Sequence, residues 1–187
     1  MSPSPSDSAR TPTVAGGEVI RVSAVVLARP DRRVLTVRKA GTAMFMFPGG
    51  KHLPGEAPVD TAVREVAEEC GVRLDPSSLV PRARWLTPDF EVRRYDTWFY
   101  AAAMPEGQEA VACTTEAELG GWVRPADLLA AADAGEAMLL EPTRHALGAL
   151  DALGSVAAVL ADRPRVERLE PVLVAGPDGP VVRTVLP

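Results

Sequence analysis

The sequence predicts an α+β fold, a mixed β-sheet sandwich rather than a doubly wound sheet. Three observations predict it. Runs of β-branched residues lie on both sides of one amphipathic helical segment; the remaining helical segments come late in the chain; and no regular strand–helix–strand alternation links them. With 187 residues, 47% of them apolar, the chain can fill one ordinary core and is short for two.

The elements follow in chain order. Val19, Ile20, Val22, Val25, Val26 and Leu27 read as a strand, Arg29-Pro30-Asp31-Arg32 as a turn, and Val34-Leu35-Thr36-Val37 as the returning arm of a hairpin. Phe45-Met46-Phe47 leads into Pro48-Gly49-Gly50, which reads as a loop continuing through Pro54-Gly55-Glu56. A helix starts at Pro58 or Asp60 and runs to about Cys70, with Gly71 as its terminator. Strands are expected near 80–87 and 93–103, the second carrying Tyr95, Trp98, Phe99 and Tyr100. Gly121-Trp122-Val123 reads as a short strand before a helix from Pro125 to about Ala132. One longer helix is expected from Pro142 to Ala161. Gly176-Pro177-Asp178-Gly179 then turns a terminal hairpin.

Residues 1–17 are rich in Ser, Pro, Thr and Gly, bury little, and are expected to be a disordered tail. That leaves 18–187 as a single domain, with everything from about 142 as an extension serving either a homodimer contact or a cap over the substrate pocket. The net charge of −5 argues against a partner that is a nucleic-acid polymer, which requires a basic surface. Cys70 and Cys113 have no metal or redox spacing, so two free thiols in a cytoplasmic protein are expected. His52 and His145 are too far apart in sequence to suggest zinc. No apolar run reaches the ~20 residues of a membrane span, and the N-terminus lacks a secretory pattern.

The chemistry is concentrated between Gly50 and Val72. On a helix, Glu65, Glu68 and Glu69 stand at i, i+3 and i+4 and share one side. Val59, Ala62, Val63, Val66 and Cys70 fall on another stripe, roughly 120° away. One stripe can pack on a sheet while the other faces a cleft. Three carboxylates so placed repel one another, and Arg64 alone does not neutralise them. A hard divalent cation does, and Mg²⁺ typically joins protein carboxylates to substrate phosphates.

This segment resembles the signature of the Nudix hydrolases, the Nudix box, G-x5-E-x7-R-E-U-x-E-E-x-G-U with U aliphatic. Gly50, Glu56, Arg64, Glu65, Val66, Glu68, Glu69, Gly71 and Val72 fill its specified positions. The resemblance implies an α/β/α sandwich around a mixed sheet. It implies Mg²⁺ as cofactor, with Mn²⁺ as a substitute, held by Glu65, Glu68, Glu69 and Gly50. Arg64 would orient a glutamate of the helix, and Glu56 and Gly49 would support the loop. The activity implied is hydrolysis of a phosphoanhydride bond in a nucleoside diphosphate linked to another moiety. The general base is left open between Glu65, Glu69 and a glutamate outside the box, where Glu116 and Glu118 are the candidates. The alternative activity is that of a catalytically silent nucleotide sensor.

Several features bear on the substrate. Leu35-Thr36-Val37-Arg38 and Phe47-Pro48-Gly49-Gly50 resemble part of the motif of Nudix coenzyme A diphosphatases, with a shorter intervening segment. Pro88 stands at a spacing from Val72 associated with ADP-ribose pyrophosphatases. Nucleoside triphosphates remain a third class. Arg38, Arg84, Arg93 and Arg94 are candidate phosphate contacts, and Phe45, Trp85 and Tyr95 candidate base-stacking residues.

Overall fold

A computed structural model of the chain describes residues 18–39, 41–111, 117–177 and 179–184, with the backbone alone described at 39 and 117–119. The tail at 1–17, Cys113, Glu116 and Asp178 lie outside the described residues.

Nine strands form one sheet. β1 (Val19–Ala28) is its central strand, followed by β2 (Val34–Lys39), β3 (Met44–Met46) and β4 (Gly49–Lys51). After helix α1 (Pro58–Cys70) come β5 (Val80–Leu86), β6 (Arg94–Ala103) and β7 (Ala117–Val123). Helices α2 (Pro125–Asp133), α3 (Glu141–Leu153) and α4 (Val156–Ala161) follow, with the short edge strand β8 (Met138–Leu139) between α2 and α3 and β9 (Arg168–Leu169) after α4. The chain then forms a separate hairpin, β10 (Val172–Gly176) and β11 (Gly179–Arg183).

The sheet is mixed, in the order β8-β3-β2-β1-β6-β5-β9, with β4 also on β1 and β7 also on β2. β1 and β6 run parallel from Val19↔Arg94 to Ala28↔Ala103. The other edge of β1 is shared: β4 pairs antiparallel at Val22–Ala24, and β2 meets it at Ala28↔Val34. The sheet therefore opens beside β1, and β4 enters the opening carrying Gly49 and Gly50.

Alternation along β1 divides the core into two layers. Ala24, Val26 and Ala28 face Phe47, Trp85, Phe99 and the apolar sides of α2, α3 and α4. Val25 and Leu27 face α1, against Ala62, Val66 and Cys70. Helices on both faces explain why β1 is buried without a break from Ser23 to Ala28. Each fully buried Val or Leu contributes about 1.5–3 kcal/mol.

α1 begins with proline in its first turn, where no amide donor is needed, and ends at Gly71 in the left-handed conformation (φ 68°), whose N–H reaches the Ala67 carbonyl at 3.1 Å. Two expectations are corrected. The segment at Gly49–Gly50, read as loop, is strand β4, because β1 offers an open ladder edge that compensates for the poor β-propensity of glycine. The single helix expected from Pro142 to Ala161 is two. Gly154 adopts φ 72° and closes α3, and the Ser155 side chain then accepts from the Ala158 N–H to start α4.

Candidate active site

The box is assembled by β4, the loop after it and α1. Arg64 is its organising side chain. Its Nε donates to Glu56 Oε1 (2.9 Å), Nη2 donates to Glu56 Oε2 (3.0 Å) and to the Lys51 carbonyl (2.9 Å), and Nη1 donates to Glu65 Oε1 (2.8 Å) and Glu68 Oε2 (3.0 Å). One guanidinium thus joins the loop carboxylate, two helix carboxylates and the end of β4. The fork geometry of arginine allows this and the point charge of lysine does not.

Glu56 accepts further bonds from the Leu53 N–H (2.9 Å) and the Thr61 hydroxyl (2.7 Å). With Arg64 the largest cause, its carboxyl is held at about 2, below its ordinary value of 4.5. The same pairing, with Glu56 first, pushes the Arg64 guanidinium up.

The two glycines of β4 permit close approaches. A Cβ on Gly49 would overlap the Ser23 carbonyl oxygen and lie 2.6 Å from Ala24 Cα, so the closeness of β4 to β1 requires glycine there. A Cβ on Gly50 would overlap the Glu65 carboxylate, which lies against the bare strand. Glu69 is fixed from the other side, its Oε2 accepting the Gly49 N–H at 3.0 Å. Nearby, the Ser23 hydroxyl and His52 Nε2 are 2.9 Å apart, and burial pushes the imidazole pKa down.

Glu69 and Gly49 also line a cleft of about 1130 Å³ on the α3 face of the sheet. Its walls include Val22, Trp85 and Phe99 from the sheet and Phe47 from between β3 and β4, with Pro142, Thr143 and His145 from α3. Of the box carboxylates, Glu69 is the one that reaches this cleft. Among the described residues no three Asp, Glu, His or Cys side chains stand together as a ready ion site; Arg64 takes up an oxygen of both Glu65 and Glu68. The donor chemistry nevertheless fits a hard cation: three carboxylates on one helix side, and a bare glycine that a Cβ would close.

The NUDIX domain family model matches residues 18–141, well over half the chain. The chain belongs to the Nudix family.

Among curated relatives, the mouse protein "Nucleoside diphosphate-linked moiety X motif 6" is 43% identical over 63 residues, 33% of this chain and 20% of that one. The chain thus spans about a fifth of the length of that relative. The Escherichia coli (strain K12) protein "8-oxo-dGTP diphosphatase" is 28% identical over 93 residues, 48% of this chain and 70% of that one. A Nudix hydrolase structure from Alicyclobacillus acidocaldarius superposes with a TM-score of 0.68 at 21% identity, covering 80% of this chain and 98% of that one, a likeness of fold.

Within this Nudix fold the other candidates from the sequence are dispersed. Arg38 lies on β2, in register with Phe45 on one side and Glu118 on the other. Phe45 packs against the α2–α4 core, with its ring over Gly120. Arg84 makes a two-pronged pair with Asp96 (2.8 and 2.6 Å) and lies over Trp98, and Arg94 pairs with Glu170. The Arg84 bonds hold the Asp96 carboxyl below its ordinary range. None of these four lines the cleft, whereas Arg93, Tyr95 and Trp85 do. Trp85 meets His145 edge to face at 5.4 Å.

The cleft positions of His145 and Arg183 and the Thr61–Glu56 contact are not among the expectations from sequence. Thr61 follows Glu56 closely enough to have been found. The other two reach the cleft through long-range folding, which leaves no local signal.

Proposed function

We propose that the chain is a Mg²⁺-dependent pyrophosphohydrolase, with Mn²⁺ able to substitute, that cleaves a phosphoanhydride bond in a nucleoside diphosphate linked to a further group. Coenzyme A, ADP-ribose and nucleoside triphosphates are the candidate substrates. The observation that carries this reading is the position of Glu69. It joins the carboxylate side of α1 to a cleft large enough for a nucleotide and its attached group. The mouse relative, named for nucleoside diphosphate-linked moieties, and the bacterial diphosphatase support the same bond type.

In this reading Glu65, Glu68 and Glu69 hold the cation, and Gly50 leaves it room. When bound, the cation supplies charge neutralisation at the diphosphate and acidifies attacking water. The residues of the chain do the rest. Arg64 and Glu56 fix the carboxylates, and the cleft walls orient the nucleotide. Glu69 accepts the proton of the water that attacks phosphorus in line, as the bond to the leaving phosphate oxygen breaks.

The test is incubation with Mg²⁺ and a panel of coenzyme A, ADP-ribose, NADH, dinucleoside polyphosphates and nucleoside triphosphates, with phosphate-bearing products separated by chromatography. A nucleoside monophosphate appearing from one of these supports the proposal. Metal-dependent binding with no turnover of any member would replace it with the sensor reading.

A further inference from the structure

The family model ends at residue 141, and the chain continues into α3, α4 and the β10–β11 hairpin. This continuation builds part of the cleft: Thr143 and His145 line it from α3, and Val182, Arg183 and Thr184 from the hairpin. The hairpin forms its own sheet, unjoined to the nine-stranded one, so its position beside the cleft does not come from extending that sheet.

Arg64, Arg82, Arg84, Arg94 and Arg144 are committed to carboxylates. Arg93 and Arg183 line the cleft, and neither makes an ion pair or hydrogen bond among the described residues, not even with the rim carboxylates Glu91 and Glu141. They come from segments far apart in sequence, the β5–β6 connection and the end of β11. A guanidinium carries donors in a rigid fork that suits phosphate oxygens, and two beside one cleft suit a group of two negative charges. The cleft, at about 1130 Å³, exceeds what a diphosphate at Glu69 would fill.

We infer that Arg93 and Arg183 form a second anion subsite, which takes a phosphate monoester carried by the substrate away from the anhydride that is cut. The C-terminal continuation is then a specificity element, selecting nucleotides with this additional phosphate. The inference rests on the proposed hydrolase reading for what brings a nucleotide to the cleft.

The test uses ligands without an anhydride, so that binding is read apart from turnover. Calorimetry on the full chain compares adenosine 3′,5′-bisphosphate with AMP, for wild type, Arg93→Ala, Arg183→Ala and the double variant. Wild type should bind the bisphosphate roughly tenfold more tightly. Each substitution should remove most of that difference while leaving AMP affinity and the thermal melt unchanged. Arg93→Lys should restore part of it. Equal affinities in wild type, or a preference that survives the double substitution, would overturn the subsite. A retained preference without turnover on the Mg²⁺ panel would defeat the hydrolase reading and leave the subsite standing. Turnover without any preference would do the reverse.

Discussion

At the scale of single residues, Arg64 holds the loop, the helix and β4 in one arrangement. Arg64→Ala removes charge-assisted bonds to Glu56, Glu65 and Glu68, and should cost about 2 kcal/mol of stability in urea unfolding. Lysine at 64 should recover little, since it cannot reproduce the fork; a fully stable Arg64→Lys would show that charge alone suffices. Glu56 gives a pH signature. Its folded pKa of about 2 is lower than the ordinary 4.5, so its contribution is complete above pH 4.5 and is lost as pH falls towards 2. Glu56→Gln should flatten the pH–stability curve in that window, and an unchanged curve would rule out the Arg64 pairing as its cause. The paired glycines separate stability from activity. Gly49→Ala forces a side chain into the β1 backbone and should destabilise by about 1–3 kcal/mol. Gly50→Ala meets a movable carboxylate, so it should leave the melting temperature nearly unchanged and lower turnover by displacing Glu65.

At the scale of elements, α1 was legible because its signals are local: Pro58, the stripe Ala62–Val66–Cys70, and Gly71. The box was legible for the same reason, since Glu56, Arg64 and the glutamates occupy one loop and one helix. β4 was not, because two glycines carry no strand preference and the ladder of β1 decides their conformation. The α3–α4 break was present in the sequence at Gly154-Ser155, but the Ala- and Leu-rich composition on either side outweighed it. Gly154 has open space around its Cα, so Gly154→Ala should cost only the strain of its positive φ, about 1 kcal/mol by thermal unfolding. A negligible cost would mean that packing of α4, rather than the glycine, sets the break.

At the scale of the whole molecule, a sheet covered on both faces separates two tasks. α1 on one face carries the acidic box, and α3 with the C-terminal hairpin walls the cleft on the other. The opening beside β1 that admits β4 lets Glu69 take part in both, through the Gly49 N–H. The cleft itself was not legible in the sequence, since β5, β6, α3 and β11 come together only in the folded chain. Arg84 and Arg94, two of its expected phosphate contacts, instead tie strands to Asp96 and Glu170. The most direct test of this account is Mg²⁺-dependent turnover of wild type beside Glu69→Gln, with the substrate the panel identifies and with both proteins shown to melt alike. A fall of roughly 100-fold or more in kcat is expected for the variant. Near-normal turnover by a folded Glu69→Gln protein would contradict it.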